Sequence, residues 1–555
     1  MKQHIAVLFF SLLSLLANAQ QTSYFISFGN KDTADLNTST TFSTLNPLQF
    51  ISQKSIDRRL KFNLPVITIQ DLPINEAYIA QVLSKGFVLQ HTLKWFNGII
   101  VSSTTNNIDS INKLPFIKSI QLIASEQIAE KEKEIDLTER VNLLAQKFDK
   151  NELIDSSSIN GFSNFQLALN NIDQLHKKQL KGAGKYVAVF DAGFKNMQRS
   201  PYFNQQNIIA TYNLVNSDES VFASNQEEHG LSVAGCIAAN APYRYMGAAP
   251  EAKLVLFETE VEDSELPIEE YYWAKAAELA DSLGVDIINS SLGYTVFDDE
   301  KLGHKYKEFS GNKTLIAQAA NIAVSKGILV VVSAGNEGDK IWEKVSTPAD
   351  ADSVITVAAC DAQKTVTTFS SVGFSKGKNQ KPEVTALGEK VQLVNAMGKV
   401  SKGNGTSYST PIITGLSACL MEAYPNKNPH AIKQAFILSA DQYYDHNKYL
   451  GYGIVDALLA YEILADYTRD TLLDFRPLAD SNYHAVVFSS SDQKVEIEIE
   501  IQSGDEKIIS RQKEKIQEGI NRFAVIKTKK LQQGVYILKI KTNAGVFLIK
   551  RFEKL

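Results

Sequence analysis

The sequence predicts an α/β protein in which a parallel sheet with helices on both faces is preceded by an α+β region and followed by a small all-β sandwich. Two patterns predict this order. Between about residues 160 and 465, short apolar runs alternate with helical periodicity, as expected for parallel strands joined by crossover helices. After about residue 470, apolar residues occupy every second position, which is typical of antiparallel strands with one buried face.

Length and charge limit the number of domains and the classes of partner. The chain has 555 residues, 44% of them hydrophobic and 21% charged, so two to four globular domains are expected. Its 57 basic and 62 acidic residues give a net charge of −5, which offers no argument for an anionic-membrane partner, and no nucleic-acid partner is expected. Cys236, Cys360 and Cys419 are too widely spaced for a disulfide framework or a zinc site, and they are predicted to be small buried residues.

Residues 1–19 resemble a secretory signal peptide. A basic start at Lys2 is followed by an apolar run over residues 5–16 and by the small-residue site Ala-Asn-Ala at residues 17–19. The run is short for a membrane span, and an uncleaved anchor is the alternative. No other stretch is apolar enough to be a transmembrane span. The sequence therefore predicts export through the periplasm, to the extracellular space or the cell surface.

Residues 20–150 are interpreted as an α+β domain and a charged connector. "SYFISF", "GFVLQHTLKWFNGIIVSS" and "IKSIQLIA" read as strands, and "NEAYIAQVLSKG" as a short helix. From about 125 to 160 the chain is rich in charge and reads as a helical or flexible connector.

Residues 160–465 contain five apolar runs with the composition of strands buried on both faces, namely "YVAVFD" (186–191), "KLVLFE" (253–258), "VDIINSSLG" (285–293), "ILVVVSAGN" (328–336) and "VITVAA" (354–359). Helical patterns lie between them. In "IEEYYWAKAAELADSLG", for example, Trp273, Ala276 or Ala277, Ala280 and Leu283 recur at helical spacing. Ligand sites in such folds lie at the carboxyl ends of the strands.

Two polar residues stand at the ends of predicted elements. Asp191 closes the first of these strands, where a buried carboxylate is costly unless it is paired or hydrogen-bonded. His229 precedes a helix of small residues, "EEHGLSVAGCIAA", that would pack close to the sheet. Taken singly, Asp191 reads as a helix cap or turn residue and His229 as a structural histidine. The acidic neighbours of His229 lack metal-ligand spacing.

Two further residues complete a chemical hypothesis. Ser407 begins an apolar helix in "GTSYSTPIITGLSACLMEAY", where free N–H groups and the helix dipole act on its oxygen. Asn336 follows a central strand in "VVVSAGNEG". A serine nucleophile needs a base, histidine is the base suited to neutral pH, a carboxylate orients it, and an amide stabilises the oxyanion. The order Asp191, His229, Ser407 is one of the known chain orders of this set.

The region 160–465 also resembles the subtilisin-like serine proteases, or subtilases. "VFDAGF", "HGLSVAG" and "GTSYSTP" resemble the Asp, His and Ser boxes of the family. "NSSLG" (289–293) is similar to its substrate-pairing edge strand, "SAGNEG" to its oxyanion segment, and "GYGIVDA" (451–457) to its closing motif. The resemblance implies a subtilisin-like fold.

The same resemblance implies roles for individual residues. The expected chemical roles are an orienting carboxylate at Asp191, a general base and acid at His229, a nucleophile at Ser407 and an oxyanion donor at Asn336. The expected substrate-binding residues are Ser291, Leu292 and Gly293 on one side of a cleft, and Ala334 and Gly335 on the other.

The boxes depart from the family pattern at four positions. Ala192 stands where Ser or Thr is usual, Leu231 and Ser232 replace Thr-His, and Tyr408 replaces Met. They are interpreted as features of a subgroup common in Bacteroidota, and Tyr408 has no role that the sequence explains.

The flanking regions resemble parts found in the same subgroup. The segments "SIDRRLKFNLPV" and "LKWFNGIIVSS" in residues 20–150 are similar to the propeptide of this subgroup. Subtilase propeptides aid folding, inhibit the enzyme and are removed, so self-cleavage is expected between about 125 and 165; a permanent N-terminal domain is the alternative. The segments "GINRFAVIKTKKLQQGVYILKIKTNAG" and "KRFEKL" in residues 470–555 resemble the sorting domain of type IX secretion, which implies the secretion machinery as a partner. A sandwich that binds carbohydrate or another partner is the alternative.

The sequence thus predicts a secreted serine endopeptidase, made as a zymogen, that hydrolyses proteins or peptides through an acyl-enzyme on Ser407. The alternative is a non-catalytic surface binding protein on the same fold. No cofactor is expected to be required. Calcium is frequent in the family, but the acidic stretch 298–300 shows no ligand-spaced loop and reads as a solvated turn.

Overall fold

A computed structural model describes residues 21–31, 45–105, 108–125, 158–223, 228–261, 264–376, 379–467, 470–477, 482–490, 494–505, 507–525, 528–542 and 545–554. The predicted signal peptide and most of the predicted connector lie outside these residues. The chain divides into two compact units, the first made of Met1–Asp35 and Pro73–Glu132 and the second of Leu36–Leu72 and Lys133–Leu555.

The strands in the described residues are, in chain order, β1 (Thr22–Phe28), β2 (Val88–Leu93), β3 (Gly98–Ser103), β4 (Ile117–Ser125), β5 (Tyr186–Asp191), β6 (Ile208–Asn213), β7 (Asn240–Ala241), β8 (Tyr245–Met246), β9 (Lys253–Glu258), β10 (Ile287–Ser290), β11 (Leu329–Ser333), β12 (Ile355–Cys360), β13 (Ser375–Lys376), β14 (Asn379–Gln380), β15 (Val384–Leu387), β16 (Val391–Val394), β17 (Val400–Gly403), β18 (Thr471–Pro477), β19 (Tyr483–Ser489), β20 (Val495–Ser503), β21 (Ile508–Ile516), β22 (Gly519–Val525), β23 (Gly534–Thr542) and β24 (Gly545–Lys554).

The α-helices in the same residues are α1 (Gln53–Lys61), α2 (Glu76–Leu83), α3 (Ile108–Ile111), α4 (Asn164–Ala168), α5 (Ile172–Lys177), α6 (His229–Ala238), α7 (Ile268–Leu283), α8 (Leu315–Ser325), α9 (Thr406–Ala423), α10 (Pro429–Ser439) and α11 (Ala457–Leu464). Short 3₁₀ turns include Pro47–Gln49 and Ile69–Asp71.

The first unit is a four-stranded antiparallel sheet in the order β2-β3-β1-β4. Its apolar core includes Ile26, Val82, Ile99 and Val101. Helix α2 contributes Val82 and is capped at its N-terminus by Asn75, whose side chain accepts a 2.8 Å hydrogen bond from the Ala77 N–H. The strands and the helix expected in this region are all present.

A seven-stranded parallel sheet dominates the second unit, in the order β15-β12-β11-β10-β5-β9-β6. All five predicted strands are confirmed, and β5 and β9 have the predicted bounds. The sheet also contains β6 and β15, which the apolar runs did not indicate. Strand β6 lies at one edge and is only partly buried, and β15 has four residues, so neither forms a long apolar run.

Helices cover both faces of this sheet. Val187 and Val189 of β5 belong to the core that includes Ile412 and Leu416 of α9. Phe190 points to the opposite face, where its ring centroid lies 5.3 Å from that of Trp273 in α7. The carboxyl end of the sheet is therefore framed by helices on two sides, which positions the residues of the candidate site.

The C-terminal region is a small antiparallel sandwich. One sheet has the order β18-β19-β22 and the other β21-β20-β23-β24. The predicted period of two in β20 is confirmed, because Ile497, Ile499 and Ile501 are buried in the core that the two sheets share. Among the described residues, no helix has both the length and the apolar character needed to cross a membrane. The three cysteines are buried and unbridged, as predicted.

Candidate active site

Asp191 and His229, far apart in the chain, are joined by a direct hydrogen bond. Asp191 is the last residue of β5 and is fully buried, and His229 is the first residue of α6. His229 Nδ1 lies 2.7 Å from Asp191 Oδ1, which also accepts a 2.9 Å bond from the Ala192 N–H. Because an ionised carboxylate only accepts, Nδ1 donates and Nε2 remains as the acceptor of the neutral ring.

Gly230 explains how β5 and α6 approach so closely. A Cβ atom at this position would lie 2.4 Å from Gly193 O and 2.9 Å from Asp191 Cβ, so a side chain would push the helix away from the strand. The residues from Gly230 to Ala238 are all buried, in keeping with the small side chains of this helix. The local sequence after His229 therefore serves to hold the imidazole against Asp191.

Ser407 is the second residue of α9, which begins after Gly405. Ser407 Oγ donates to the carbonyl oxygen of Ser291 at 3.1 Å, and Ser291 Oγ donates to the carbonyl oxygen of Ser407 at 2.9 Å. These reciprocal bonds tie the start of α9 to the segment that follows β10. The first turn of the helix also places the positive end of the helix dipole near Ser407.

Asn336 is oriented by the residue just before Ser407. Its Oδ1 accepts hydrogen bonds from both the backbone N–H and the Oγ1 of Thr406, each at 2.9 Å. Because the side-chain oxygen is engaged twice, the Nδ2 group is the part of the amide that can donate to another acceptor. The structure thus brings Asn336 beside the start of α9.

The residues predicted to bind substrate form two neighbouring walls. Ser291, Leu292 and Gly293 follow β10, and Ala334 and Gly335 follow β11, the adjacent strand. Ser291, Leu292 and Ala334 are buried, Gly335 is partly buried and Gly293 is exposed. The two predicted sides of the cleft therefore stand at the carboxyl ends of paired strands.

Ser346 lies between these two walls, a feature that the sequence analysis missed. Its N–H donates to Ala334 O at 3.2 Å, and the next residue pairs with Tyr294 through bonds of 2.9 and 3.1 Å. A Cβ at Gly293 would lie 2.0 Å from Ser346 Oγ, and one at Gly335 would lie 3.0 Å from the same atom. Both glycines are therefore needed where the Ser346 side chain fills the space.

A series of buried polar groups is hydrogen-bonded to the backbone of Ser407. The sequence did not indicate this series either. Thr414 Oγ1 donates to Asn289 Oδ1 at 2.8 Å, and Asn289 Nδ2 donates to Ser291 Oγ at 3.1 Å. Ser291 in turn bonds to Ser407 O, as described above. An asparagine inside the apolar strand β10 and a threonine inside the apolar helix α9 were the available signals, because buried polar groups are normally paired.

Tyr408 contacts the candidate base. The centroid of its ring lies 5.6 Å from that of the His229 imidazole, and the two planes are tilted by 42°. The residue whose role the sequence left unexplained therefore packs beside the histidine.

Glu260 adds a titratable group that the sequence did not indicate. Burial raises the pKa of its carboxyl to about 7, against the lowering effect of hydrogen bonds from Tyr294 and Thr259. Tyr294 Oη donates to Glu260 Oε1 at 2.5 Å. Asp191 and His229 both act electrostatically on this carboxyl, which places it in the neighbourhood of the site.

The acidic stretch 298–300 lies in a turn after the cleft wall. Within the described parts of the chain, no group of three or more His, Cys, Asp or Glu side chains is arranged to hold a metal ion.

Asp191 and His229 are thus joined at the carboxyl end of β5, and Ser407 begins a helix that is tied to the segment after β10. A model of the subtilase family matches residues 182–456, and a model of the peptidase S8 propeptide domain of Bacteroidota matches residues 23–138. The two matches together cover well over half of the chain, which belongs to the subtilase family. The family expectation from the sequence is confirmed.

The relatives include proteases of bacteria, plants and animals. Subtilisin NAT of Bacillus subtilis subsp. natto is 29% identical over 289 residues, covering 52% of this chain and 68% of that protein. Subtilisin-like protease SBT6.1 of Arabidopsis thaliana is 28% identical, covering 53% of this chain and 27% of that protein. The human membrane-bound transcription factor site-1 protease is 27% identical, covering 53% of this chain and 26% of that protein. The chain thus spans about a quarter of the length of the last two relatives.

Among solved structures, MycP1 from Mycobacterium smegmatis is 23% identical and covers 54% of this chain and 85% of that chain, with a TM-score of 0.43.

Proposed function

We propose that this chain is a secreted serine endopeptidase that hydrolyses peptide bonds through an acyl-enzyme on Ser407. The observation that carries the proposal is the 2.7 Å bond between His229 Nδ1 and the fully buried Asp191. This bond fixes the imidazole tautomer that can accept a proton at Nε2, and the buried carboxylate stabilises the imidazolium that results.

The proposed reaction begins at Ser407. Its hydroxyl turns from Ser291 O towards His229 Nε2, which takes the proton as Oγ attacks the scissile carbonyl. The negative charge that develops on the carbonyl oxygen is stabilised by Asn336 Nδ2 and by the backbone N–H of Ser407 at the start of α9. Preorganisation by Thr406 supports the role of Asn336, because the amide does not have to reorient during the reaction.

The second half of the proposed reaction reverses these roles. The imidazolium of His229 gives its proton to the leaving amine, and the C–N bond breaks to leave an ester between Ser407 Oγ and the acyl group. Water then attacks the ester while His229 accepts a proton from it, and His229 passes this proton to Ser407 Oγ as the ester C–O bond breaks and the carboxylic acid departs. These steps use only groups of this chain, its substrate and water, so we propose that no cofactor is required.

The proposed substrate is an extended peptide or protein segment. Gly293 is exposed at the end of one wall and has no side chain, so its backbone is accessible to pair with such a segment. The two walls that end at Gly293 and Gly335 define where the side chain before the scissile bond would enter.

Hydrolysis by a Ser407→Ala chain tests the proposal. We expect a loss of about 10⁶-fold in kcat on a peptide substrate, the magnitude known for the equivalent loss in a related subtilisin. Ser417→Ala is the matched control, because Ser417 is a buried serine of the same helix whose Oγ donates to Ile413 O at 2.7 Å. Near-parental activity of Ser407→Ala would refute the proposal.

The N-terminal region is proposed to act as a propeptide that is cut in the connector, between about residues 125 and 165. The match to a propeptide model supports this proposal. Sequencing the N-terminus of the mature protein tests it. Mature protein that begins at Gln20 alone would contradict it.

The C-terminal sandwich is proposed to direct the protein through a type IX secretion system. Deletion of the residues after about 470 is then expected to leave the enzyme in the periplasm, while the intact chain reaches the outside of the cell. Fractionation with an antibody against the subtilase domain measures both forms. Normal release of the truncated protein would refute this proposal.

A further inference from the structure

Residues 45–72, called here the anchor segment, fold with the subtilase domain rather than with the β1–β4 sheet. The family match places them inside the propeptide domain, but they belong to the second compact unit. The segment contains helix α1 and two 3₁₀ turns, and it has a small apolar cluster of Ile51, Ile56, Ile67 and Leu72. The propeptide region is therefore divided between the two units.

Arg58 of the anchor segment binds the C-terminal end of α7. Its Nη2 donates to Asp281 Oδ1 at 2.5 Å, and its Nη1 donates to Val285 O at 2.6 Å. The Ser52 N–H donates to Ser282 O at 2.9 Å. Carbonyl groups in the last turn of a helix have no partners within it, so the Ser52 N–H satisfies a group that α7 itself leaves open at Ser282.

The same arginine also reaches the end of α8. Arg58 Nε donates to Lys326 O at 3.1 Å. Glycines follow both helices, at Gly284 and Gly327, and a Cβ at Gly284 would lie 2.7 Å from Lys54 Cβ. The absence of side chains at these two positions allows the anchor segment to lie directly against both helix ends.

Arg59 extends the contact into a buried charge cluster. Its guanidinium donates to both oxygens of Asp71 at 2.8 and 2.9 Å and to Asp281 Oδ2 at 2.6 Å. Lys326 Nζ donates to Asp71 Oδ1 and Thr68 Oγ1, both at 3.0 Å. Asp71 and Arg59 come from the anchor segment, while Asp281 and Lys326 come from the subtilase domain, so each side supplies ions of both signs.

Water is nearly excluded from this cluster. The side chains of Arg58, Arg59, Asp71, Asp281 and Lys326 are all at most 3% exposed. Three cations face two carboxylates, and the remaining positive charge lies at the negative ends of α7 and α8. Burial favours a higher pKa for Asp71, but the hydrogen bonds from Arg59 and the charge of Lys326 outweigh it and hold this pKa well below its usual value.

We propose that the anchor segment stays bound to the ends of α7 and α8 after the connector is cut, so that the mature protein retains its N-terminal part as a non-covalent second chain. The proposal rests on the proposed function only in attributing the natural cut to the chain itself. Several short, desolvated, charge-assisted bonds must break together for the segment to leave, and truncating one partner of such pairs acts mainly on the rate of dissociation.

The test uses an inactive chain, so that its outcome does not depend on catalysis. A recognition sequence for a sequence-specific protease is inserted within residues 126–157 of the Ser407→Ala chain, which is purified, cut and passed through a size-exclusion column. We expect the two fragments to co-elute. Separation of the fragments at micromolar concentration would overturn the proposal.

Two variants identify what holds the fragments together. Arg58→Met/Arg59→Met is expected to release the N-terminal fragment, whereas Lys61→Met, which removes one charge from the same helix, retains it. If the double variant does not fold, Arg59→Lys replaces it, and the fragments are expected to dissociate at least ~10-fold faster than in the parent. Retention by the arginine variants equal to that of the parent would refute the role of the cluster.

Comparison of the wild-type chain with the inactive Ser407→Ala chain separates this proposal from the proposed function. A wild-type chain that never cuts itself, together with an inactive chain that retains its cut fragment, would refute self-processing and support the anchor. A wild-type chain that cuts itself, and whose purified mature form lacks residues 45–72 by mass spectrometry, would refute the anchor alone.

Discussion

Removing the hydroxyl of Thr406 tests whether Asn336 is held ready to donate to the substrate. Thr406→Val replaces the side chain by one of similar shape and deletes the 2.9 Å bond from Oγ1 to Asn336 Oδ1, while the bond from the Thr406 N–H remains. The amide keeps one of its two restraints and becomes free to rotate away from the productive orientation. We expect kcat to fall, and the fold to be retained.

The free energy of the deleted hydrogen bond sets the size of the loss in kcat. A net contribution of about 0.5–1.5 kcal/mol for one such bond corresponds to a loss of about 2- to 12-fold in kcat. Asn336→Ala, which deletes the donor itself, is expected to cost about 10²–10³-fold. The kcat of Thr406→Val must therefore lie between that of the parent and that of Asn336→Ala.

The assay is steady-state hydrolysis of a chromogenic peptide amide, with kcat and KM determined separately. Thr410→Val is the matched control, because Thr410 is buried in the same helix and its Oγ1 bonds to Thr406 O at 2.8 Å rather than to Asn336. A Thr406→Val enzyme with the kcat of the Thr410→Val control, or one changed only in KM, would refute the reasoning.

Two further predictions concern the cleft and the loop beyond it. Ser346→Gly empties the space between Gly293 and Gly335. We therefore expect kcat/KM for substrates with a large residue before the scissile bond to rise about 10-fold relative to kcat/KM for substrates with alanine there. An unchanged preference in a peptide library would contradict this. His304 donates to Glu270 at 2.7 Å, and although burial favours a lower pKa, this bond outweighs it and raises the pKa of His304 above 6.5. The pair therefore stabilises the fold fully below pH 6.5, and this stabilisation is lost as the pH rises through the pKa of His304 in the folded protein. In urea titrations of the Ser407→Ala chain, Glu270→Gln should therefore reduce the free energy of unfolding more at pH 6 than at pH 9. An equal reduction at both pH values would refute the assignment.

The strands that carry the candidate site could be predicted because they are buried on both faces. The run 186–191 is apolar throughout and ends on a carboxylate, so both β5 and the position of Asp191 at its carboxyl end followed from the sequence. His229 was expected before a helix and is in fact its first residue. Strands β6 and β15 were missed because a partly buried edge strand and a four-residue strand leave no long apolar run.

The roles of Tyr408, Ser346 and the anchor segment depend on contacts between residues distant in the chain. Tyr408 contacts His229 although the two are 179 residues apart in the sequence, and the residues around each of them do not indicate this contact. The motif "SIDRRLKFNLPV" was assigned to the propeptide as a whole. Only the structure brings Arg58 to Asp281, at a separation of 223 residues, and so divides the propeptide region between two units.

Labelling with a serine-directed fluorophosphonate is the most direct test of Ser407 as the nucleophile. The purified mature protein is treated with the reagent, digested and mapped by mass spectrometry, with a His229→Ala chain as the comparison. We expect one phosphonyl group per molecule on Ser407, and strongly slowed labelling without His229. Labelling at another serine, or an unlabelled Ser407 in folded, processed protein, would contradict the assignment of Ser407 as the nucleophile.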